Sequence, residues 1–453
     1  MHLARENYPT YRVSKQIRWL VAEIDRWTAE GLVSPEQAAR LRQRYPQPAE
    51  GPPWGLIVFA SAGAVVIGLG VVLLFAYNWD DIPKFGKLAL IFGAVVGSHA
   101  GGLVLYRRGD WQRKLGEALS LLGTMFYGSA IWLIAQIYHI DEHYPNGFLL
   151  WALGALALAW VLESIPQALL ATVLFAFWGG AETLNFDSPT YWAILAVLGG
   201  LGPLAWRKRS GVLTATVLAT VYFLTVTTLL DYGNGAYALT SILALSVLLL
   251  GGEKLLRQPE GESAGGMTVW LFFGFSGFLV CTYLLGFHET LDDLLDWHRR
   301  QGSNPSLAGT YGWALFFGGL GCWTVVAWRA LREKRFTVPV EQWLCPIALI
   351  YAFLLAAQPR LVSDRFIAIT FNLVSLGIAV MWMLRGCREA RLRPTVLGSL
   401  LLAALVFARY FDLFASLASR GLTFMLLGGI LLAEALYYRK QRRSVDPGPG
   451  GAS

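Results

Sequence analysis

Along most of this chain, apolar residues come in runs of about 16–24 separated by short polar gaps, from residue 54 to residue 438. About 20 consecutive apolar residues is the length a helix needs to cross a hydrocarbon core roughly 30 Å thick. The alternation of a membrane β-strand is absent, so the runs predict helices. Fourteen spans follow: 54–77, 88–106, 115–138, 148–162, 167–184, 190–206, 211–230, 236–252, 267–287, 308–328, 343–357, 366–384, 395–411 and 415–438. Twelve is the rival count. The segments 148–162 and 167–184 are short and joined only by Glu163-Ser164-Ile165-Pro166, and a tilted or re-entrant hairpin is the alternative there.

Ahead of the first span the pattern changes. Ile17, Leu20, Val21, Ile24 and Trp27 fall at helical spacing on an otherwise polar segment, and Gly31 ends that helix. Ser34-Pro35-Glu36-Gln37 then supplies an N-cap, a proline at the first helical position and a capping-box partner. A second helix is predicted to about Tyr45, with Ala38, Leu41 and Tyr45 facing inward, and Pro46 to Pro53 is a linker. The expected fold class is all-α. A cytoplasmic helical hairpin and linker (1–53) precede a polytopic transmembrane helix bundle (54–438), and a basic, Gly/Pro-rich tail (439–453) follows. The hairpin is read first as a packing or docking element for a protein partner, and second as a ligand sensor.

Composition agrees with the pattern. The chain is 55% hydrophobic with a mean hydropathy of +0.48, and only 15% of it is charged, against about 25% in soluble domains. The net charge of +7 does not imply nucleic acid, because the basic residues sit at helix ends. With the amino terminus in the cytoplasm, inside segments hold 29 of the 37 Lys and Arg residues and outside segments hold 8. That bias predicts a bacterial inner-membrane protein with both termini cytoplasmic. Acidic residues gather on the opposite side, at Asp80-Asp81, Asp141-Glu142 and the loop 288–307, where a short amphipathic surface helix is expected. No cleavable leader is expected, since the first fifty residues have no apolar core for one. The four cysteines form no C-x-x-C pair and read as small buried residues.

Ionisable groups at membrane depth are costly and point to function by default. Three clusters stand out. Asn78 and Asp80 close the first span. Glu117, Gln136, His139 and Asp141 mark the third span and its exit, with Gln136 and His139 three apart on one face. Arg409 and Asp412 near the end are also three apart. Interfacial belts, caps and ion pairs are the plainer account of all three; lining a binding or gating site is the other. His99 lies deeper, beside Gly93, Gly97 and Gly101. Those glycines predict close packing of the second span on a neighbour, with His99 either bonding across that interface or titrating in a cavity. No phosphate-binding loop, H-E-x-x-H or G-x-S-x-G occurs. His139 and His143 have i, i+4 spacing but straddle a helix end, so neither a metal site nor a cofactor is expected.

Three stretches carry a family resemblance. They are Trp27 to Ala38 in the hairpin, Asn78-Trp79-Asp80-Asp81-Ile82-Pro83 after the first span, and Gln136-Ile137-Tyr138-His139-Ile140 followed by Leu150-Trp151. On these the first 160 residues resemble a bacterial family of predicted membrane proteins, domain of unknown function 2157. Arg409-Tyr410-Phe411-Asp412 is similar to that family's carboxy-terminal end. The resemblance implies a membrane protein and no particular activity.

The leading functional expectation is a transporter or channel-like protein for a small or lipid-linked substrate, because fourteen spans exceed an anchor's needs. Glycine-broken helices at Gly199-Gly200 and Gly202-Pro203 suit that reading. A non-catalytic scaffold for a cell-envelope complex is the alternative. A membrane-embedded glycosyl- or lipid-transferase is the third, resting on Asp80-Asp81, but the loop to Lys87 is short for a substrate platform.

Overall fold

In the computed structural model, the residues described are 10–44, 82–108, 110–140, 143–188, 191–231, 235–256, 265–287, 307–333, 338–357, 364–389 and 391–413, with residues 425, 428, 429 and 432. The spans expected at 54–77 and 415–438, and nearly all of the loop 288–307, lie outside them. Helix is the only regular secondary structure among the described residues. The chain divides into two compact units, Met1–Lys87 and Leu88–Ser453.

The first unit contains the helical hairpin. Helix α1 (Thr10–Ala29) ends where Gly31 takes φ +74°, and the Leu32 amide returns to the Trp27 carbonyl at 2.9 Å. Helix α2 (Pro35–Arg44) opens with the predicted reciprocal cap. The Ser34 amide donates to Gln37 Oε1 at 3.0 Å, and the Gln37 amide donates to Ser34 Oγ at 3.3 Å. Val21, Ile24 and Ala38 are buried between the helices, and Arg42 pairs with Asp25.

The second unit holds the bundle, whose first helix begins four residues before the unit's boundary. Its helices are α3 (Lys84–Tyr106), α4 (Asp110–Tyr138), α5 (Pro145–Val161), α6 (Ile165–Phe186), α7 (Tyr191–Ala196), α8 (Gly202–Arg207), α9 (Gly211–Asp231), α10 (Gly235–Leu256) and α11 (Gly265–Leu284). After these come α12 (Leu307–Arg332), α13 (Leu344–Ala357), α14 (Asp364–Arg388) and α15 (Leu392–Leu413). By length and composition eight of these (α3, α4, α6, α9, α10, α11, α12 and α14) can cross a membrane, and α5, α13 and α15 are shorter apolar helices. The doubtful pair at 148–162 and 167–184 becomes α5 and α6, of 17 and 22 residues. At 1.5 Å per residue, α6 is roughly 33 Å long, enough for a full crossing.

Lipid is as apolar as leucine, so helices in it associate through close packing and hydrogen bonds. Two cores use both devices, and α10 belongs to each. One joins Ala152, Ala155 and Ala159 of α5 to Ala168 and Ala171 of α6, with Leu245 and Leu249 of α10 at its edge. The other sets Leu243, Val247 and Leu250 of α10 against Phe278 of α11, Phe316 of α12, Leu349 of α13 and Phe371 of α14. Hydrogen bonds cross between helices: Trp323 Nε1 donates to the Val247 carbonyl at 2.9 Å, and Tyr222 Oη lies 2.9 Å from Ser246 Oγ. All four cysteines are free thiols, three of them buried.

Two expectations about glycine are corrected in part, although the second span does pack closely on a neighbour, where a methyl on Gly101 would stand 3.1 Å from the Leu119 side chain. Gly93 and Gly97 meet no described atom within 4 Å where a side chain would begin. The tight face of α3 is one position round, at Ser98 and Gly102, and a methyl on Gly102 would stand 3.0 Å from the Gly116 carbonyl. The glycine run marked the right helix, but helical rotation puts residues 98 and 102 on one stripe and 93 and 97 on another. The second correction is at 190–206, where the helix is not broken. It continues through one π turn, Val197–Leu201, in which the Gly202 amide reaches back to the Val197 carbonyl. Pro203 has no N–H to give Gly199 and crowds that carbonyl, and the wider turn absorbs both effects. Trp160 Nε1 takes up the neighbouring Gly200 carbonyl at 2.7 Å.

Candidate functional site

Sequence expectation and geometry meet at a cavity of about 490 Å³ between α3, α4 and α5. Val95, Leu103, Leu158, Val161 and Leu162 give it apolar walls. Its volume lies inside the roughly 300–1,000 Å³ of small-molecule sites. His99, from the half of α3 nearer Tyr106, faces the cavity and lies with Nδ1 3.4 Å from Ser120 Oγ of α4. His99 thus bonds across the interface and lines a cavity as well.

Behind that pair polar groups are bonded in series, with the buried Gln167 Oε1 left without a partner among the described residues at the end of it. Thr124 Oγ1 donates to the Ser120 carbonyl at 3.1 Å and accepts from Gln167 Nε2 at 2.9 Å, while Trp151 Nε1 donates to the Thr124 carbonyl at 2.8 Å. Gln167 comes from α6 and is 0% exposed, so this chain of bonds ties α4, α5 and α6 together behind the cavity. Small residues make the space. A methyl on Gly116 would come within 2.6 Å of the Gly102 carbonyl, and one on Gly154 within 2.7 Å of the Tyr127 ring.

One end of the cavity is marked by Tyr106, whose hydroxyl donates to the Leu162 carbonyl at 3.0 Å. Arg113 Nη2 donates to that hydroxyl at 2.7 Å, and its guanidinium stands 4.6 Å over the tyrosine ring. Beside Leu162, Glu163 occupies the left-handed position that closes α5, at φ +49°. Its carboxylate accepts from Lys208 Nζ at 2.6 Å and Arg207 Nη2 at 2.5 Å. The Lys208 hydrogen bond first, then the charges of Arg207 and Lys208, hold the Glu163 carboxyl below the ordinary glutamate range.

A second cluster was not foreseen. Glu182, 7% exposed near the end of α6, receives His143 Nε2 at 2.8 and 2.7 Å on its two oxygens and Trp178 Nε1 at 3.1 Å. The His143 ring packs edge-on to Phe186 at 4.1 Å between centroids, and Asn185 Nδ2 donates to Tyr144 Oη at 2.7 Å. The signal was present, since Glu182 is an acid inside an apolar run. Its partner, 39 residues away, was not readable. A third cluster links Glu341, just before α13, to Arg385 at 2.7 Å, with Arg385 also 2.9 Å from Glu389.

The residues singled out by sequence fall as follows. Gln136 and His139 are both exposed; the His139 amide reaches the Gln136 carbonyl at 3.4 Å, and His139 takes φ +52° at the end of α4. Glu117 is half-exposed, one turn past Arg113, and is not among the cavity-lining residues. Arg409 and Asp412 lie on α15, where the described side chains stop at Phe407. Asn78, Asp80 and Asp141 lie outside the described residues. Among those whose side chains are described, only His99 reaches the cavity. Among the described residues no group of three or more His, Cys, Asp or Glu could hold a metal ion.

No curated protein and no solved structure matches the chain. Residues 25–168 match the model of a family described as a predicted membrane protein (DUF2157), and that stretch contains every residue that lines the cavity.

Proposed function

We propose that this membrane protein takes up a small or lipid-linked substrate and moves it, without chemical change, by way of the cavity between α3, α4 and α5. The observation that carries this reading is the cavity's make-up. An apolar-walled space whose few polar side chains are the His99–Ser120 pair, Thr124 and the tyrosines Tyr106 and Tyr127 suits a chain-bearing amphiphile far better than a hydrated ion, which needs a continuous polar lining. The setting we propose is a bacterial inner membrane with the basic helix ends on the cytoplasmic side.

The test is direct binding of a fluorescent alkyl-chain lipid to the purified full chain in nanodiscs. Leu158→Trp and Leu103→Trp fill the cavity from two walls and should each weaken binding about tenfold, with the protein still inserting and eluting as the parent does. No binding by the parent, or unchanged binding by both variants, would overturn the reading.

A scaffold role is the second reading, supported by the hairpin, where Trp19 is 63% and Leu32 70% exposed. Deletion of residues 1–44 that leaves lipid binding intact but releases a co-purifying protein would favour it.

A further inference from the structure

We infer that the cavity's ligand is a single hydrocarbon chain ending in a phosphate, with the chain along α3 and α4 and the phosphate at Tyr106 and Arg113. This rests on the cavity reading above and adds to it the shape and charge of the ligand.

Shape comes from register. On α3 the lining runs from Val95 to Tyr106, and on α4 from Gly116 to Tyr127. Gly116 packs on Gly102 and Tyr106, so the two helices are antiparallel and Tyr106 and Gly116 share one end. Each stretch is twelve residues, so its ends are eleven steps apart, roughly 16 Å at 1.5 Å per residue. The hydrocarbon core is roughly 30 Å thick, so the slot runs the depth of about one leaflet. A space that is long, apolar and parallel to the helices fits an extended alkyl chain.

Charge comes from the mouth. Arg113 is exposed and makes no ion pair among the described residues; its bonds are to the hydroxyl and ring of Tyr106, which lines the slot. The nearby carboxylate, Glu163, feels the Arg113 charge but makes its ion pairs with Arg207 and Lys208. The stretch 107–117 holds four basic residues (Arg107, Arg108, Arg113, Lys114) and two acidic ones (Asp110, Glu117), so an excess positive charge remains at this end. A guanidinium offers planar paired donors that match a phosphate, and Tyr106 supplies a further polar atom beside it.

The experiment measures displacement of the fluorescent lipid from the full chain in phosphatidylcholine nanodiscs by three chain-matched probes: dodecyl phosphate, dodecylphosphocholine and monolauroyl glycerol. Dodecyl phosphate should compete at least tenfold more strongly than the other two. Arg113→Gln should remove that preference while leaving monolauroyl glycerol unchanged, and Arg113→Lys should keep part of it. Inorganic phosphate alone should not compete at matched concentration. Nanodiscs containing phosphatidylglycerol separate the sources: displacement of dodecyl phosphate there identifies a bilayer phospholipid, and retention identifies a separate lipid-linked phosphate. Equal competition by all three heads, an unchanged preference in Arg113→Gln, or full competition by inorganic phosphate overturns the inference and leaves the cavity reading standing. No competition by any probe, with Leu158→Trp without effect, removes the cavity reading itself.

Discussion

Single residues here do their work through partners distant in sequence. Glu182 has a buried carboxylate that satisfies two N–H groups, His143 Nε2 and Trp178 Nε1. Removing it leaves both donors without their acceptor, and a hydrogen bond to a charged group contributes about 1.5–3 kcal/mol. Glu182→Ala should therefore destabilise the bundle by about 1–3 kcal/mol in reversible SDS unfolding, and Glu182→Gln by less, since an amide oxygen still accepts. His143→Ala combined with Glu182→Ala should cost clearly less than the two singles added together, because contacting residues couple. Strict additivity would mean that the pair contributes nothing. His139 shows a different use of a residue. It occupies a left-handed position that favours glycine, where it ends α4, and its side chain is exposed.

Among elements, the α3–α4 pair depends on the absence of side chains. Gly102 and Gly116 bring the two backbones so close that a Cβ on Gly116 would lie 2.6 Å from both the Gly102 carbonyl and the Tyr106 amide. Backbone cannot give way as a flexible side chain can. Gly116→Leu should separate the helices, unseat Tyr106 and abolish ligand binding, and in SDS unfolding it should cost at least the 1–3 kcal/mol typical of overpacking. Gly97→Leu is the control. No described atom lies within 4 Å there, so that variant should unfold and bind as the parent does. A reversed order of effects would show that the stripe through Gly93 and Gly97 is the packing face after all.

For the whole molecule, contacts sort residues by the end of the bundle on which they lie. Glu163 meets Arg207 and Lys208, Glu341 meets Arg385, and Arg329 reaches the Leu255 carbonyl at 3.4 Å; all of these belong to segments that the charge bias assigns to the inside. Glu182 with His143, and Asn372 with the Gly286 carbonyl at 3.1 Å, join residues in outside segments or toward the outer ends of their spans. The alternation of ends is therefore consistent through α14. Which end faces the cytoplasm rests on the 29-to-8 split of basic residues. In a background without native cysteines, Asn234→Cys and Ser303→Cys should react with an impermeant maleimide added outside, and Ser210→Cys should not. Labelling of Ser210→Cys alone would invert the orientation.

The sequence by itself determined that the chain is a helical membrane protein, because hydrophobic length is a local property set by bilayer thickness. It determined the hairpin for the same kind of reason: Gly31, Ser34 and Gln37 act within a few residues of one another, and the cap they predict is the cap observed. It pointed to His99 through depth alone. It could not give the face on which α3 packs, because Gly97 and Gly102 differ in role only by rotation relative to a neighbour. It could not join His143 to Glu182, or Glu163 to Arg207, across 39 and 44 residues. Nor could it reveal the slot, which exists only where Val95 to Tyr106 and Gly116 to Tyr127 run antiparallel with Leu158 and Leu162 alongside. Those are properties of distance between segments, and only the packed bundle sets such distances.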